Sequence, residues 1–320
     1  LLSEQGCFIK GSKGNHFTPN CPVFINDTSK FPQSMILFKK ADELIKWLDI
    51  QRQNEKTVGF VPTMGALHAG HMSLLKESKK ENAITVCSIF VNPTQFNDPA
   101  DFKKYPITVE ADIEMLENSG CDVVFLPGVN EIYPGGIAAE TKKYDLGHLE
   151  ILLEGKYRPG HFQGVCLVVD KLLSIVNPDI LYLGQKDYQQ CMVISRLLHL
   201  TGKAKSIIIR ICPTLRENNG LAMSSRNMRL SETERINAGI IYKCLLQLKT
   251  KLVPGRDLLL LKQAAERNLA DAGFRTDYVE VADATTLAPV SDWDGKQQLV
   301  ALIAAFLNEV RLIDNMIITE

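Results

Sequence analysis

From Met35 to about residue 212 the chain alternates short apolar runs with longer amphipathic ones, and this alternation limits the possible folds more than any other feature. Thr57 to Val61, Ala83 to Val91, Val123 to Leu126 and Ile180 to Leu183 are strand-sized. Ala41 to Asn54, with Leu44, Ile45, Trp47 and Leu48 on one side, and Pro159 to Asn177 are helix-sized. Such alternation predicts an α/β fold, a doubly wound parallel sheet with helices on both faces, which binds its ligands beyond the carboxyl ends of the strands. Polar motifs stand where that rule requires them: Pro62 to His71, Asn92 to Phe96 and Gly184 to Gln190 each follow a strand-like run. A boundary is expected near Cys212-Pro213, after the strand-like Ser206 to Ile211. Helix-like stretches at 232–251 and 258–272 and strand-like ones at 277–281, 298–306 and 310–318 then predict a smaller α+β C-terminal domain, 213–320, following a first domain at 35–212.

The first 34 residues read differently. Leu1 to Ser34 has no strand or helix periodicity and is dense in Gly, Asn, Pro and Ser. It lacks the basic start and apolar core of a secretory signal, and is low in Arg for a transit peptide. It is read as an extension, poorly ordered and outside the catalytic fold. Over the whole chain the net charge is −1 and no long basic run is present, so no nucleic-acid partner is indicated. No apolar segment approaches the roughly 20 residues that span a bilayer. The eight cysteines have no paired spacing, and several, such as Cys87 and Cys166, sit in apolar runs. They read as buried thiols in a reducing cytoplasm.

Residues 62 to 71 read Pro-Thr-Met-Gly-Ala-Leu-His-Ala-Gly-His and lead into the helix-like stretch Met72 to Lys80. Glycines allow a backbone to approach phosphates closely, and a helix N-terminus offers unpaired N–H groups and a partial positive charge. His68 and His71 add hydrogen-bond donors, which suits a nucleoside triphosphate. The same pair also fits a surface pair or half of a zinc site, although His16, His148, His161 and His199 bring no Cys or carboxylate cluster with ligand spacing. There is no G-x-G-x-x-G fingerprint and no Walker A sequence, so neither nicotinamide nor P-loop chemistry is supported.

The His-x-Gly-His signature resembles that of the nucleotidylyltransferase superfamily. Its neighbours narrow the likeness: Phe90-Val91-Asn92-Pro93-Thr94-Gln95-Phe96, Arg158-Pro159-Gly160-His161-Phe162, Gly184-Gln185-Lys186-Asp187-Tyr188-Gln189-Gln190 and Met223-Ser224-Ser225-Arg226-Asn227. In this order they resemble the pantothenate synthetase (pantoate–β-alanine ligase) family, from about Met35 to the C-terminus. The resemblance implies a Rossmann-like doubly wound sheet and a C-terminal domain that closes on the nucleotide with its Met-Ser-Ser-Arg-Asn loop. It also implies a homodimer through the first domains and the use of ATP, pantoate, β-alanine and Mg2+.

A carboxylate is a poor acyl donor, so an amide-forming enzyme first converts it to a mixed anhydride with AMP. Such phosphoryl chemistry needs many donors around the triphosphate rather than a strong base. His68, His71, Lys186, Ser224, Ser225 and Arg226 can supply them, and by resemblance His71 donates the proton to leaving pyrophosphate. The resemblance places Pro62, Thr63, Met64, Gly65, His68, Gly70 and His71 on one wall of the ATP site. Gly184 and Asp187 then lie at the ribose and Lys186 at phosphate, with Gln185 in the same ATP-binding loop and Leu215 meeting adenine through its backbone beside Met223. For the acid, Gln95 and Gln190 supply amides and Met64, Phe96 and Val165 apolar walls, while Asn92, Arg158 and His161 complete the lining by resemblance. Gln95 would later meet β-alanine.

One departure stands in the lid segment, where relatives often read Tyr-Pro-Arg-Thr and this chain has Tyr105-Pro106-Ile107-Thr108. Glu110 and Asp112 nearby are candidates both for magnesium and for ordinary helix-start acids, with Asp112 the metal candidate. Two rival readings remain at this stage: a binding protein that kept the fold without turnover, and a transferase using CTP or another acid.

Overall fold

The computed structural model describes residues 35–319, which fall within one compact unit. The extension expected at 1–34 lies outside the described residues. Six strands, β1 (Ile36–Phe38), β2 (Val58–Thr63), β3 (Ile84–Ile89), β4 (Val123–Phe125), β5 (Ile180–Gly184) and β6 (Ile208–Cys212), form one parallel sheet in the order β1-β4-β3-β2-β5-β6. Side chains alternate between its faces. Phe60, Val86, Phe125 and Leu181 pack under helices 41–53, 161–176 and 188–200, whereas Val61, Cys87, Val124 and Tyr182 pack under helices 69–81 and 109–118. Burial on both faces is why these strands read as continuous apolar runs.

The chain moves outward from β2 to β3 and β4 on one side, then returns to β5 and β6 on the other. The strand order therefore reverses between β2 and β5. The crevice beyond their carboxyl ends is where a doubly wound sheet binds ligands, and it receives the loops after Thr63 and Gly184. The α/β expectation is met.

After Cys212 the chain enters a separate antiparallel meander, β7 (Phe274–Asp283), β8 (Leu299–Leu307) and β9 (Val310–Ile317). Helices 240–251 and 258–271 cover one of its faces through Cys244, Leu245, Leu258 and Leu269. Two local differences from the sequence reading have clear causes. The helix expected over 232–251 breaks at Ala238 and Gly239, because the Asn219 amide donates to the carbonyls of Arg235 and Ile236 and ends the first segment. Strand β1 has only three residues, too few for periodicity to reveal; its pairing with β4 defines it.

Candidate active site

The turn after β2 is built on backbone that few residues adopt: Gly65 and Ala66 have φ of +78° and +48°. Buried Asp112 holds it, accepting the Ala66 N–H at 2.9 Å on Oδ2 and the Leu67 N–H at 2.8 Å on Oδ1, with the Thr108 hydroxyl at 3.1 Å. From the far end of the chain Ser225 donates its hydroxyl to the Ala66 carbonyl (2.9 Å). The sequence offers Asp112 as a magnesium candidate. The structure corrects that: both of its oxygens are committed behind the turn, and it does not line the cavity.

Helix 69–81 begins with a reciprocal histidine cap. His68 Nδ1 accepts the Gly70 N–H at 3.1 Å, and His71 Nδ1 accepts the His68 N–H at 3.3 Å. A ring nitrogen that accepts carries no proton, so both neutral imidazoles hold theirs on Nε2. Desolvation, reinforced by Lys186, pushes His68 down to about 4. Desolvation, then His68 and Lys186, hold His71 well below the usual histidine range. Gly70 is obligatory for this cap, because a Cβ there would lie 2.8 Å from the His68 ring. No group of three His, Cys, Asp or Glu side chains able to hold a metal occurs among the described residues.

Opposite, Asn92, Gln95, Arg158 and His161 are locked together. The Asn92 amide donates to Gln95 Oε1 (3.1 Å), and Gln95 Nε2 reaches Met64 Sδ (3.1 Å). His161 Nδ1 lies 2.7 Å from the Gln95 carbonyl and its Nε2 lies 3.1 Å from Arg158 Nη1. A carbonyl only accepts and a guanidinium only donates, so the proton of this neutral ring sits on Nδ1. Desolvation and Arg158 push His161 down to about 3. Gly164 permits the close seat, since a Cβ there would lie 2.2 Å from the Thr94 carbonyl oxygen. Gln190 lines the cavity and makes no side-chain hydrogen bond among the described residues.

These groups surround a cavity of about 240 Å³, and a second of about 520 Å³ adjoins it, sharing Glu154, Arg158, Lys186, Asp187 and Arg226. Every residue assigned to ATP or acid binding lines the first, except Gly65, which shapes the turn, and Gln185. Phe96 and Val165 line it too, whereas Ile107 and Glu110 are exposed and stand away from it. Ser224 Oγ accepts the Arg226 N–H (3.3 Å), and the Leu215 carbonyl accepts the Met223 N–H (3.0 Å). Lys186 Nζ sits 3.5 Å from Asp187.

Several contributors were not found in the sequence. Asp101 accepts from both Arg226 (2.8 Å) and Arg229 (2.9 Å). Burial alone would raise its carboxyl, but the two guanidiniums outweigh it and hold it below the usual carboxylate range. Glu154 accepts from Arg311 and Tyr278, and Asn315 binds the loop before Asp187. The one local sign of such a contact is the Glu154/Arg158 spacing of one helical turn, which the sequence analysis does not single out.

A doubly wound sheet with paired histidines at a helix start and a Lys–Asp loop at the strand-order reversal defines an α/β enzyme of the nucleotidylyltransferase type. The pantoate-beta-alanine ligase family model matches residues 36–317. Pantothenate synthetase of Cytophaga hutchinsonii is 43% identical over 286 residues, covering 89% of this chain and 99% of that one. That of Phocaeicola vulgatus is 45% identical, covering 88% and 99%. The crystal structure of pantothenate synthetase from Thermus thermophilus superposes with a TM-score of 0.81 at 39% identity, covering 89% of this chain and 100% of that one. A Francisella tularensis pantoate-beta-alanine ligase complexed with beta-gamma ATP and beta-alanine gives 0.72 at 36% identity, covering 89% and 98%. The chain belongs to the pantoate–β-alanine ligase family.

Proposed function

We propose that the chain joins (R)-pantoate to β-alanine in two steps through pantoyl adenylate. In the first, a pantoate carboxylate oxygen attacks the α-phosphorus of ATP, the bond from that phosphorus to the bridging oxygen breaks, and pyrophosphate leaves. In the second, the β-alanine amine attacks the acyl carbon, losing a proton, and AMP departs to leave pantothenate. The observation that carries this reading is the reciprocal histidine cap, with two Nε2–H donors fixed beside Lys186 in the crevice where the strand order reverses.

These residues act by position and charge rather than as bases. His68 and His71 donate from Nε2, with His71 serving the leaving pyrophosphate. Lys186, Ser224 and Arg226 follow the charge that moves onto it; Arg226 must exchange Asp101 for phosphate to do so. Gln95 and Gln190 read the acid's hydroxyls and carboxylate, and Met64 and Val165 face its methyl groups. Gln95 stays in place to meet the incoming amine. Of the carboxylates lining the cavity, Glu154 and Asp314 are taken up by Arg311 and Arg216, which leaves Asp187, held only by Lys186 at 3.5 Å. That donor set suits magnesium brought in on the triphosphate, with Asp187 accepting from the ribose or from a water on the ion, and not a metal caged by protein. When bound, the ion neutralises phosphate charge.

The segment 213–320 acts in this reading as the closing domain. Edge strand β6 leaves Ile208 (58%) and Ile211 (48%) exposed, one on each side of the sheet, and this unpaired apolar edge supports a homodimer through the first sheet. The six described cysteines are buried thiols, which suits the reducing cytoplasm.

The test is product analysis with ATP, pantoate and β-alanine, repeated with CTP. AMP, pyrophosphate and pantothenate should form in equal amounts, and only with ATP. Formation of ADP and phosphate, equal use of CTP, or turnover without pantoate would refute the reading.

A further inference from the structure

Strand β9 forms a wall of the cavity that no motif announces. Positions 311, 313 and 315 alternate along it and share a face, with Ile313 lining both cavities. At one end Arg311 donates twice to buried Glu154, Nη1 to Oε2 at 2.8 Å and Nη2 to Oε1 at 2.7 Å, while the Tyr278 hydroxyl of β7 adds a bond of 3.0 Å to Oε1. Glu154 Oε2 is also 3.5 Å from Arg158 Nη1, which continues to His161 and the Gln95 carbonyl. At the other end Asn315 Nδ2 donates to the carbonyls of Gln185 (3.0 Å) and Lys186 (2.7 Å).

The opposite face of β9 covers the C-terminal core through Val310, Leu312 and Met316, so the 311, 313 and 315 face is free of that task and turns toward the cavity. Moreover, a buried ion pair is commonly no more stabilising than the apolar residues that could replace it, so stability alone does not account for Glu154 and Arg311. Each contact ends on a different rim: Asn315 on the loop that carries Lys186 and Asp187, and Arg311, through Glu154, on the group that holds Gln95.

We propose that β9 is a two-ended positioning strand, in which Asn315 sets the Lys186 loop for the nucleotide while Arg311, acting through Glu154, sets Arg158, His161 and Gln95 for the acid and the amine. The inference rests on the ligase reading above. It gives this strand the task of holding both substrates' loops at once.

The test is pyrophosphate–ATP exchange with pantoate, read as separate KM values, together with aminolysis of supplied pantoyl adenylate. Asn315→Ala should raise the KM for ATP roughly tenfold, the loss expected for a hydrogen-bond donor shared by two carbonyls, and leave the pantoate KM within about twofold. Glu154→Gln should do the reverse and slow aminolysis. Combining Glu154→Gln with Arg311→Met should cost the pantoate KM no more than the worse single change, because the pair acts as one unit. Asn315→Leu, which removes the donor at nearly the same volume and adds no charge, and Tyr278→Phe, which removes one bond to Glu154, repeat the two arms with small changes should the larger ones fail to fold. The expected split in Asn315→Leu and Tyr278→Phe supports the proposal. If both KM values rise together in each arm, or neither moves, the proposal is overturned while the ligase reading stands. A wild type without pantoate-dependent exchange would overturn both.

Discussion

Replacing Asp112 tests whether its carboxylate holds backbone or metal. The side chain is buried and accepts two amides, at 2.9 and 2.8 Å, plus the Thr108 hydroxyl at 3.1 Å. The turn it clamps has two consecutive positive φ angles, and one belongs to Ala66. A left-handed alanine costs roughly 1–2 kcal/mol, so this turn persists only while something holds it. Hydrogen bonds to a charged group are worth roughly 1.5–3 kcal/mol each, and the Thr108 hydroxyl can turn to water once freed. Asp112→Ala should therefore destabilise the protein by roughly 3–5 kcal/mol, with Asp112→Asn between it and wild type because one amide keeps an acceptor. Urea unfolding followed by circular dichroism measures the first effect, and magnesium titration of pyrophosphate–ATP exchange measures the second. The rate should fall as the turn carrying Met64 and His68 loosens, with the magnesium concentration for half-maximal rate unchanged. Stability within about 0.5 kcal/mol of wild type together with a tenfold or greater rise in magnesium requirement would refute the clamp.

Other outcomes follow from the same geometry. His68 titrates at about 4 and His161 at about 3 in the folded protein, against 6.5 for an unperturbed histidine. Below pH 6.5 the unfolded chain therefore takes up protons that the native state refuses, and stability is lost as the pH falls through that window. The loss should be on the order of 1–2 kcal/mol per histidine by about pH 5, seen in unfolding curves at a series of pH values; stability that is flat or rises on acidification contradicts the neutral histidines. Gly70→Ala drives a Cβ against the His68 ring. It should slow exchange by roughly 10²-fold while costing only about 1 kcal/mol of stability, as loss of a helix cap does. Asp101→Asn frees Arg226 from its carboxylate and should lower the KM for ATP in steady-state kinetics; a raised KM would show that Asp101 presents Arg226 rather than competing for it.

The strand and helix frame was legible because burial on both sheet faces writes itself as uninterrupted apolar runs such as Val58 to Val61. The cavity's lining was legible because the His68, Gln95, Lys186 and Ser224 segments each follow a strand end or carry a recognisable motif. Their supports were not. Asp112 binds residues 45 and 46 positions away, Asp101 pairs with Arg226 at a separation of 125, and Arg311 meets Glu154 at 157. No local periodicity encodes such pairs, and a lone Asp at a helix start looks the same whether it clamps a turn, binds metal or faces water. Asn315 lies within a strand-like run and gives no polar signal of its own. The motif makes Ser225 a phosphate donor, yet in this structure its hydroxyl is given to the Ala66 carbonyl.

Acid activation at the paired histidines precedes amide formation in the proposed reaction. Exchange of labelled pyrophosphate into ATP measures that first step alone. The exchange should require pantoate and magnesium, proceed without β-alanine, and fall by roughly 10²–10³-fold in His71→Ala, the range for loss of one preorganised hydrogen-bond donor to developing charge. Exchange that depends on β-alanine, or that survives intact in His71→Ala, would contradict the proposal.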